Sequence, residues 1–449
     1  MMNIKSPLLV CVAVLIATAS ADTSVGQTKP TSSSGWSQIR GDSGKGVAAA
    51  IAKPPIKIDL EKQTAWETEI PGIGWSSPVY QDNLIWMTTS IATKATQEEI
   101  DKKLEGVDYA EIKTWAKRVE LRAIAVDRDS GSIVHNLLLR AVDEPAISHP
   151  MNSFASPTPA IKDGRVVCHF GSYGTWCLDD KTGKEIWHET YVVDHSVGPG
   201  SSPVIFDDLV VLVCDGIDKQ FIAARKLSDG SEVWKTDRPK IRAESGEFRK
   251  AYSTPLLIEV AGEKQLVIPG AQWISAYALD SGKEIWRLDH GRGFSVTPMA
   301  SFADGVVVFS SGFPDTDLIA VDPSGSGDVT KTHLKWRVPR IAPDMPSLSI
   351  HEGHVYSISK RAVISRVDLK TGEVVNKVRA KGNFSSSPLL AADHLYFGSR
   401  EGTLAVFECN QEMKRVAISK LGDQIMASPV LIDNDLLIRT SEKLIRIKP

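Results

Sequence analysis

Along this chain, aromatic or thioether side chains recur a few residues before Ser-Pro or Thr-Pro pairs: Trp75, Phe154, Tyr252, Phe294, Phe384 and Met426. Polar and basic groups accompany them, namely His149, Asn152, His195, Arg249, Arg292 and Asn383. Projected to one mouth, these groups would make an aromatic ring with cations around it. Such a ring suits a planar or anionic ligand, or an extended peptide whose side chains stack there. The competing expectation is that they plug a narrow channel and pack against one another, as side chains inside small closed β-architectures do. Trp75, Asn152, Phe154, Tyr252, Arg292, Phe294, Asn383 and Phe384 are the candidate ligand contacts.

Other chemistries are poorly supplied. His149 and His195 have no close Cys or acidic companion of the kind a zinc site needs. The acids in comparable segments, Glu247, Asp344 and Asp423, are scattered over three units, whereas a hard cation requires clustered oxygens. No Gly-x-Ser-x-Gly elbow occurs, nor any Cys-x-x-Cys-His. No residue is therefore assigned a catalytic or metal-binding role. With 52 Lys+Arg against 55 Asp+Glu, no basic surface advertises nucleic acid.

The elements that must position the candidates repeat. The openings are Ser77-Pro78, Ser156-Pro157, Ser202-Pro203, Thr254-Pro255, Thr297-Pro298, Ser387-Pro388 and Ser428-Pro429. Each leads into an apolar run, and many units close with an Asp-x-x-(Thr/Ser)-Gly type of turn and a Trp, as in Asp179 to Gly183 with Trp187. A period in the forties with several short strands per unit predicts a β-propeller. The gap from Pro298 to Pro388 holds two periods, with Ser347-Leu348 as the degenerate opening, which makes eight units. The last unit lacks its closing turn and Trp, while Trp66 stands unmatched before the first. The segment around Trp66 is therefore expected to supply the outermost strand of the last blade and so close the ring. Proline, without an N–H, marks the strand that edges the central channel. In the second unit the strands read Ser156 to Ile161, Arg165 to Phe170, Thr175 to Leu178 and Lys184 to Trp187.

The paired Ser-Pro opening and Asp-x-x-Thr-Gly-x-x-x-Trp closing resemble the tryptophan-docked repeat of pyrroloquinoline-quinone-type propellers. The resemblance covers residues 60–449. It implies an all-β, eight-bladed propeller of four-stranded blades, in a superfamily holding both quinone-dependent dehydrogenases and non-catalytic relatives such as the barrel-assembly lipoprotein of the outer membrane. The catalytic relatives imply pyrroloquinoline quinone with calcium, an Asp base and often adjacent cysteines. This chain has no Cys-Cys pair, and no position can be carried over as a ligand or base. The expectation is a non-catalytic binding or scaffold propeller engaging a protein, peptide or small ligand at the funnel face. The alternatives are a quinone-dependent alcohol or sugar dehydrogenase and a carbohydrate-binding propeller.

Residues 1–21 read as a secretory signal, with Lys5, an apolar Leu8 to Ala17 and a cleavage site at Ala19-Ser20-Ala21. This implies a periplasmic or extracellular monomer, with a partner in the cell envelope and no transmembrane segment. Residues 22–59 read as a flexible lead, with Trp36 to Gly41 packing the entering chain onto the propeller. A helical insertion at about 91–120 follows the first opening. Thr96 to Glu99 reads as a capping box, Glu98 to Leu104 and Tyr109 to Val119 as helices, and the whole as a decoration over a blade edge or else a lid. Cys168 and Cys177 flank Gly171 to Gly174. A two-residue turn there would set them opposite each other for a disulfide, although buried unpaired thiols are the commoner outcome.

Overall fold

Two kinds of strand alternate in burial, and the difference shows how the sheets stack. Leu209–Asp215 is buried at every position, because both faces of a middle strand meet neighbouring sheets. Glu232–Asp237, an outer strand, exposes most of its residues and buries Trp234. The computed structural model describes Met1 and residues 35–449. These form eight antiparallel sheets of four strands, one of them with a two-residue fifth strand at Gly327–Asp328. The sheets follow one another along the chain as blades 1 to 8, from Val79–Gln81 in blade 1 to Lys443–Ile447 in blade 8. In the second blade the strands are Ala160–Lys162, Arg165–His169, Thr175–Asp179 and Glu185–Glu189. The expected signal sequence beyond Met1 and residues 22–34 of the lead lie outside the described residues.

The ring closes as the unmatched tryptophan required. Thr64–Glu69 pairs antiparallel with Lys443–Ile447, placing Trp66 opposite Arg446 on the outer edge of blade 8. Trp66 Nε1 then donates to the Arg128 carbonyl of blade 1 at 3.0 Å. The same docking recurs where Trp187, Trp234 and Trp336 donate to the Leu227, Leu279 and Leu369 carbonyls of the next blade, at 2.9–3.0 Å. Each indole lies on a glycine of the neighbouring turn. A Cβ on Gly230 would come within 2.7 Å of Trp187, and its φ of +72° also favours glycine. Trp286 departs from the pattern and donates to Gln265 of its own blade, because blade 5 replaces the corner with the Gly327–Asp328 strand beside it.

The openings correct the sequence register at two blades. Backbone N–H groups donate to the hydroxyl of the next blade's opening: Ser77 to Thr158, Thr158 to Ser202 and Ser202 to Thr254. The belt resumes as Met299 to Ser347, Ser347 to Ser387, Ser387 to Ser428 and Ser428 back to Ser77, all at 2.9–3.1 Å. Blade 2 therefore opens at Thr158-Pro159, and blade 5 opens at Met299-Ala300, each two residues later than Ser156-Pro157 and Thr297-Pro298. Met299 offers no oxygen to Thr254, which leaves one gap in the belt.

The commoner outcome holds for the cysteines, and one further expectation changes. The turn between Cys168 and Cys177 is a 3-10 turn over Gly171–Tyr173, so Cys168 pairs with Trp176 and Val167 with Cys177. A one-residue shift puts the thiols on opposite faces of the sheet. Cys168 packs between blades 1 and 2, Cys177 between blades 2 and 3, and both are free. In the insertion, Gln97–Leu104 is helical with the Thr96/Glu99 capping box formed. Beyond the 3-10 turn Ala110–Ile112, however, the chain becomes strand from Ala116, because it ladders against Leu84–Lys94. The tip of this long hairpin reaches the mouth of the central funnel, where Tyr109 and Ile112 line the cavity. It is more than a blade-edge decoration.

Candidate functional site

The entering chain seals one end of the channel. Trp36 bridges to Tyr80 of blade 1, Ser37 accepts from Ile161 of blade 2, and the Gln38 side chain accepts from Ile205 of blade 3. The segment then crosses the axis, and Val47 pairs with Leu390 of blade 7. Midway, the buried Arg40 donates to the Leu348 and Pro388 carbonyls and to the segment's own Gly44 carbonyl. Burial lowers its pKa to about 10. Ile39 from this plug lines the floor of a cavity of about 630 Å³ that opens at the other end.

The walls follow the extended backbone of the openings, where alternate side chains face the same way. One ring is the hydroxyl belt with Met299. The next, two residues earlier, comprises Trp75, Ser156, Gly200 and Tyr252, then Thr297, Met345, Ser385 and Met426, and both rings line the cavity. Of the eight candidates, six reach it: Trp75, Asn152, Tyr252, Phe294, Asn383 and Phe384. Phe154 is buried between blades 1 and 2, since the shifted register of blade 2 puts Ser156 in the ring position. Arg292 is 79% exposed at its side chain and pairs with Asp315 in solvent. His149 and Met426 also line the cavity, whereas His195, Arg249 and Asp423 do not. Counting from the hydroxyl instead of the proline would have found the ring positions.

Many polar candidates are already committed. The Asn152 amide donates to the Val197 and Pro199 carbonyls, Tyr252 Oη to His195, and Trp75 Nε1 to Met151. Asn383 Nδ2 donates to Glu401 at 2.6 Å. Aromatic rings carry much of the wall: Tyr109 meets Phe248 (centroids 6.3 Å apart), Phe248 meets Phe294 (4.8 Å), and Phe294 meets Phe313 (5.5 Å).

Of the charged groups, the sequence named Glu247 and Asp344 but not Lys113, Lys250, Lys360 or Arg400. Glu247 accepts from Lys113 Nζ at 2.8 Å, from Ser196 Oγ at 2.8 Å, and from Lys250 Nζ. All four residues are buried. This cluster ties the insertion of blade 1 to the chain entering blade 4. Burial raises the Glu247 pKa, but the bonds from Lys113, Lys250 and Ser196 outweigh it and hold the carboxyl below its ordinary value. Burial also lowers the Lys250 pKa against the pull of Glu247, and burial, then Lys250, lowers that of His149. Lys360, Asp344 and Arg400 line the cavity on blades 6 and 7, with Lys360 3.6 Å from Asp344. No sequence pattern distinguishes these from surface charges.

A quinone with calcium fits this donor set poorly. The Glu247 oxygens are occupied by two ammonium groups and a hydroxyl. Asp344 stands on another blade beside an ammonium. Among the described residues no three His, Cys, Asp or Glu side chains gather as a metal site.

Comparison with known proteins agrees on architecture. The family described as outer membrane protein assembly factor BamB matches residues 81–267. The structure of BamB from Moraxella catarrhalis superposes with a TM-score of 0.52 at 14% identity, covering 74% of this chain and 94% of that one. A quinohemoprotein alcohol dehydrogenase from Comamonas testosteroni gives 0.61 at 12% identity, covering 92% and 80%. At such identities both speak for the fold and neither for an activity. A WD repeat-containing protein, JIP5 of Candida glabrata, is 32% identical over 99 residues, so the match spans only 20% of that relative's length. The repeat, the eight closed blades and the docked tryptophans lead to one conclusion: the chain is an eight-bladed β-propeller, similar over residues 81–267 to the assembly-factor family.

Proposed function

We propose that this protein is a non-catalytic binding propeller that receives its ligand in the plugged funnel. The observation carrying this reading is the one-ended cavity of about 630 Å³, within the range of about 300–1,000 Å³ common for ligand sites. Its aromatic and thioether walls offer contact area, while the acids that would have to hold a quinone-bound cation are spent on lysines. A protein or peptide partner in the cell envelope accords with the family description and with the signal read at residues 1–21. Among the described residues no helix is long and apolar enough to cross a membrane. The runner-up remains a quinone-dependent dehydrogenase, which structural likeness to such an enzyme keeps in view.

Titration of the purified protein with pyrroloquinoline quinone plus Ca²⁺, by calorimetry and then by dye-coupled alcohol oxidation, separates the two. The expected result is no turnover. Saturable one-to-one binding with alcohol oxidation would overturn the non-catalytic reading.

A further inference from the structure

The mouth of the funnel is electrically lopsided, although the whole chain carries a net charge of only −3. Around blades 5 to 7 the exposed Arg340, Arg361, Arg379 and Lys381 stand without a carboxylate partner among the described residues. The acids of the same arc are already taken: Asp315 by Arg292, Asp317 by Arg337, Asp344 by Lys360 and Glu401 by the Asn383 amide. Backbone contacts knit the arc together. Val363 pairs with Arg379, the Ala380 N–H donates to the Ala362 carbonyl at 2.8 Å, and Ser357 Oγ donates to the Ile341 carbonyl at 2.6 Å. Arg361 adjoins Lys360 in sequence and Lys381 nearly adjoins Asn383, and both Lys360 and Asn383 line the cavity.

Across the mouth the sign reverses. The insertion exposes Glu105, Asp108 and Glu111, none with a lysine or arginine partner among the described residues, while Tyr109 and Ile112 between them line the cavity. Solvated charges of this kind add little to stability. Gathered by sign, however, they sum to a potential that steers and orients a partner. Apolar surface bridges the arc and the cavity: Phe313 is 45% exposed, lines the cavity and lies 5.5 Å from Lys360 Nζ.

The layout narrows the occupant. A small anion confined to the cavity would reach Lys360 and leave Arg340, Arg361, Arg379 and Lys381 untouched, since those four do not line it. A flat anionic membrane would press equally on the acids of the insertion and would leave the aromatic and thioether walls empty. A chain with an apolar end and an acidic continuation uses both features. Resting on the binding reading above, we infer that the partner is an extended acidic peptide segment with an apolar anchor. The anchor enters the cavity among Phe248, Phe294, Phe313, Met345 and Met426, and the acidic stretch runs out over the arc of blades 5 to 7. The acidic insertion repels that stretch and so fixes its direction.

The test titrates three N-acetylated, C-amidated peptides calorimetrically into the purified protein. Each begins Phe-Leu-Phe and continues as a run of Glu, of Gln or of Lys. The Glu peptide should bind about tenfold or more tighter than the Gln peptide at low salt, and the Lys peptide weakest. Raising NaCl from about 0.02 M to about 0.5 M should shrink that margin, because exposed charges are then screened. Replacing Phe-Leu-Phe by Ala residues should abolish measurable binding. In the double variant Arg361→Glu with Lys381→Glu the margin should vanish while the affinity for the Gln peptide is unchanged. An equal change of charge in the corner turn of blade 2, Lys181→Glu with Lys184→Glu, should keep the margin. Circular dichroism melting confirms that each variant is folded. Equal binding of the Glu and Gln peptides, or a margin that survives reversal of the arc, would overturn the acidic partner while leaving a binding funnel in place. Failure of all three peptides, with flotation on phosphatidylserine vesicles instead, would overturn the peptide in favour of a membrane. Failure of all three without flotation would overturn it equally. Quinone binding with turnover would remove the reading on which the inference rests.

Discussion

The buried cluster at the funnel mouth makes an ordered set of mutational outcomes. Glu247→Gln takes the carboxylate from two buried ammonium groups, Lys113 and Lys250. Breaking a buried pair by removing one partner costs about 3–5 kcal/mol, because a charge is left uncompensated. Lys113→Met leaves Glu247 still bonded to Lys250 and Ser196; the charged hydrogen bond to Glu247, about 1.5–3 kcal/mol, is lost together with the local one to the Asp108 carbonyl. That loss falls on the local opening of the insertion and not on the whole ring. Amide exchange over residues 96–114 should therefore quicken by roughly 10–100-fold in Lys113→Met, at about 1.4 kcal/mol per decade. Glu247→Gln should quicken it more and also loosen residues 239–252. In the double variant one of the two stranded ammonium groups is gone, so the effects should be less than additive. Hydrogen–deuterium exchange with mass spectrometry reads all three. The reasoning fails if Lys113→Met leaves the insertion unchanged, or if Glu247→Gln is the milder substitution.

Deleting the closing strand, residues 64–69, should lower Tm far more than deleting residues 22–34, which leaves every described strand intact. Equal melting temperatures would contradict the closure. Trp187→Ala should cost about 3–5 kcal/mol of stability by chemical denaturation, since its buried indole fills the space over Gly230, whereas Trp187→Phe should forfeit little beyond the bond to Leu227. Ser387→Ala removes the acceptor of the Ser347 N–H in the belt and should cost about 1–3 kcal/mol, read from the urea midpoint. Burial lowers the pKa of His195 and of His290 to about 4, below the ordinary 6.5. The folded state thus binds fewer protons than the unfolded one. The contribution of these two groups should be full above pH 6.5 and fall as the pH drops toward 4. His290→Gln, which keeps a donor for the Gly270 carbonyl, should flatten part of that limb in pH-dependent denaturation.

The architecture was legible because it is repeated. A blade strand needs only its own apolar run, its turn and its neighbour, and those local signals recur in register with the period. The degenerate opening at Ser347-Leu348, the missing last strand and the unmatched Trp66 follow from the same counting, since a ring leaves no unpaired edge. The capping box at Thr96 and Glu99 is equally local. Where the sequence misled, two local signals competed. Pro157 and Pro159 both precede the first strand of blade 2, and only the hydroxyl belt decides between them, because Thr158 must meet Ser77 across the blade boundary. That two-residue difference moved Phe154 from the expected ring into the core. A one-residue difference in a turn likewise separated Cys168 from Cys177.

What the sequence by itself determined was the periodic part: eight blades, their order, the closing strand and the tryptophan docking. Tertiary structure alone decided which side chains share a space. Lys113 meets Glu247 across 134 positions, and Arg40 meets Leu348 across 308. Asp344, Ser385 and Arg400 come onto one wall only when blades 6 and 7 stand side by side. Such contacts carry no periodic signal, since each charged residue obeys no spacing rule within its own unit and acquires partners only when the ring brings distant loops to one mouth.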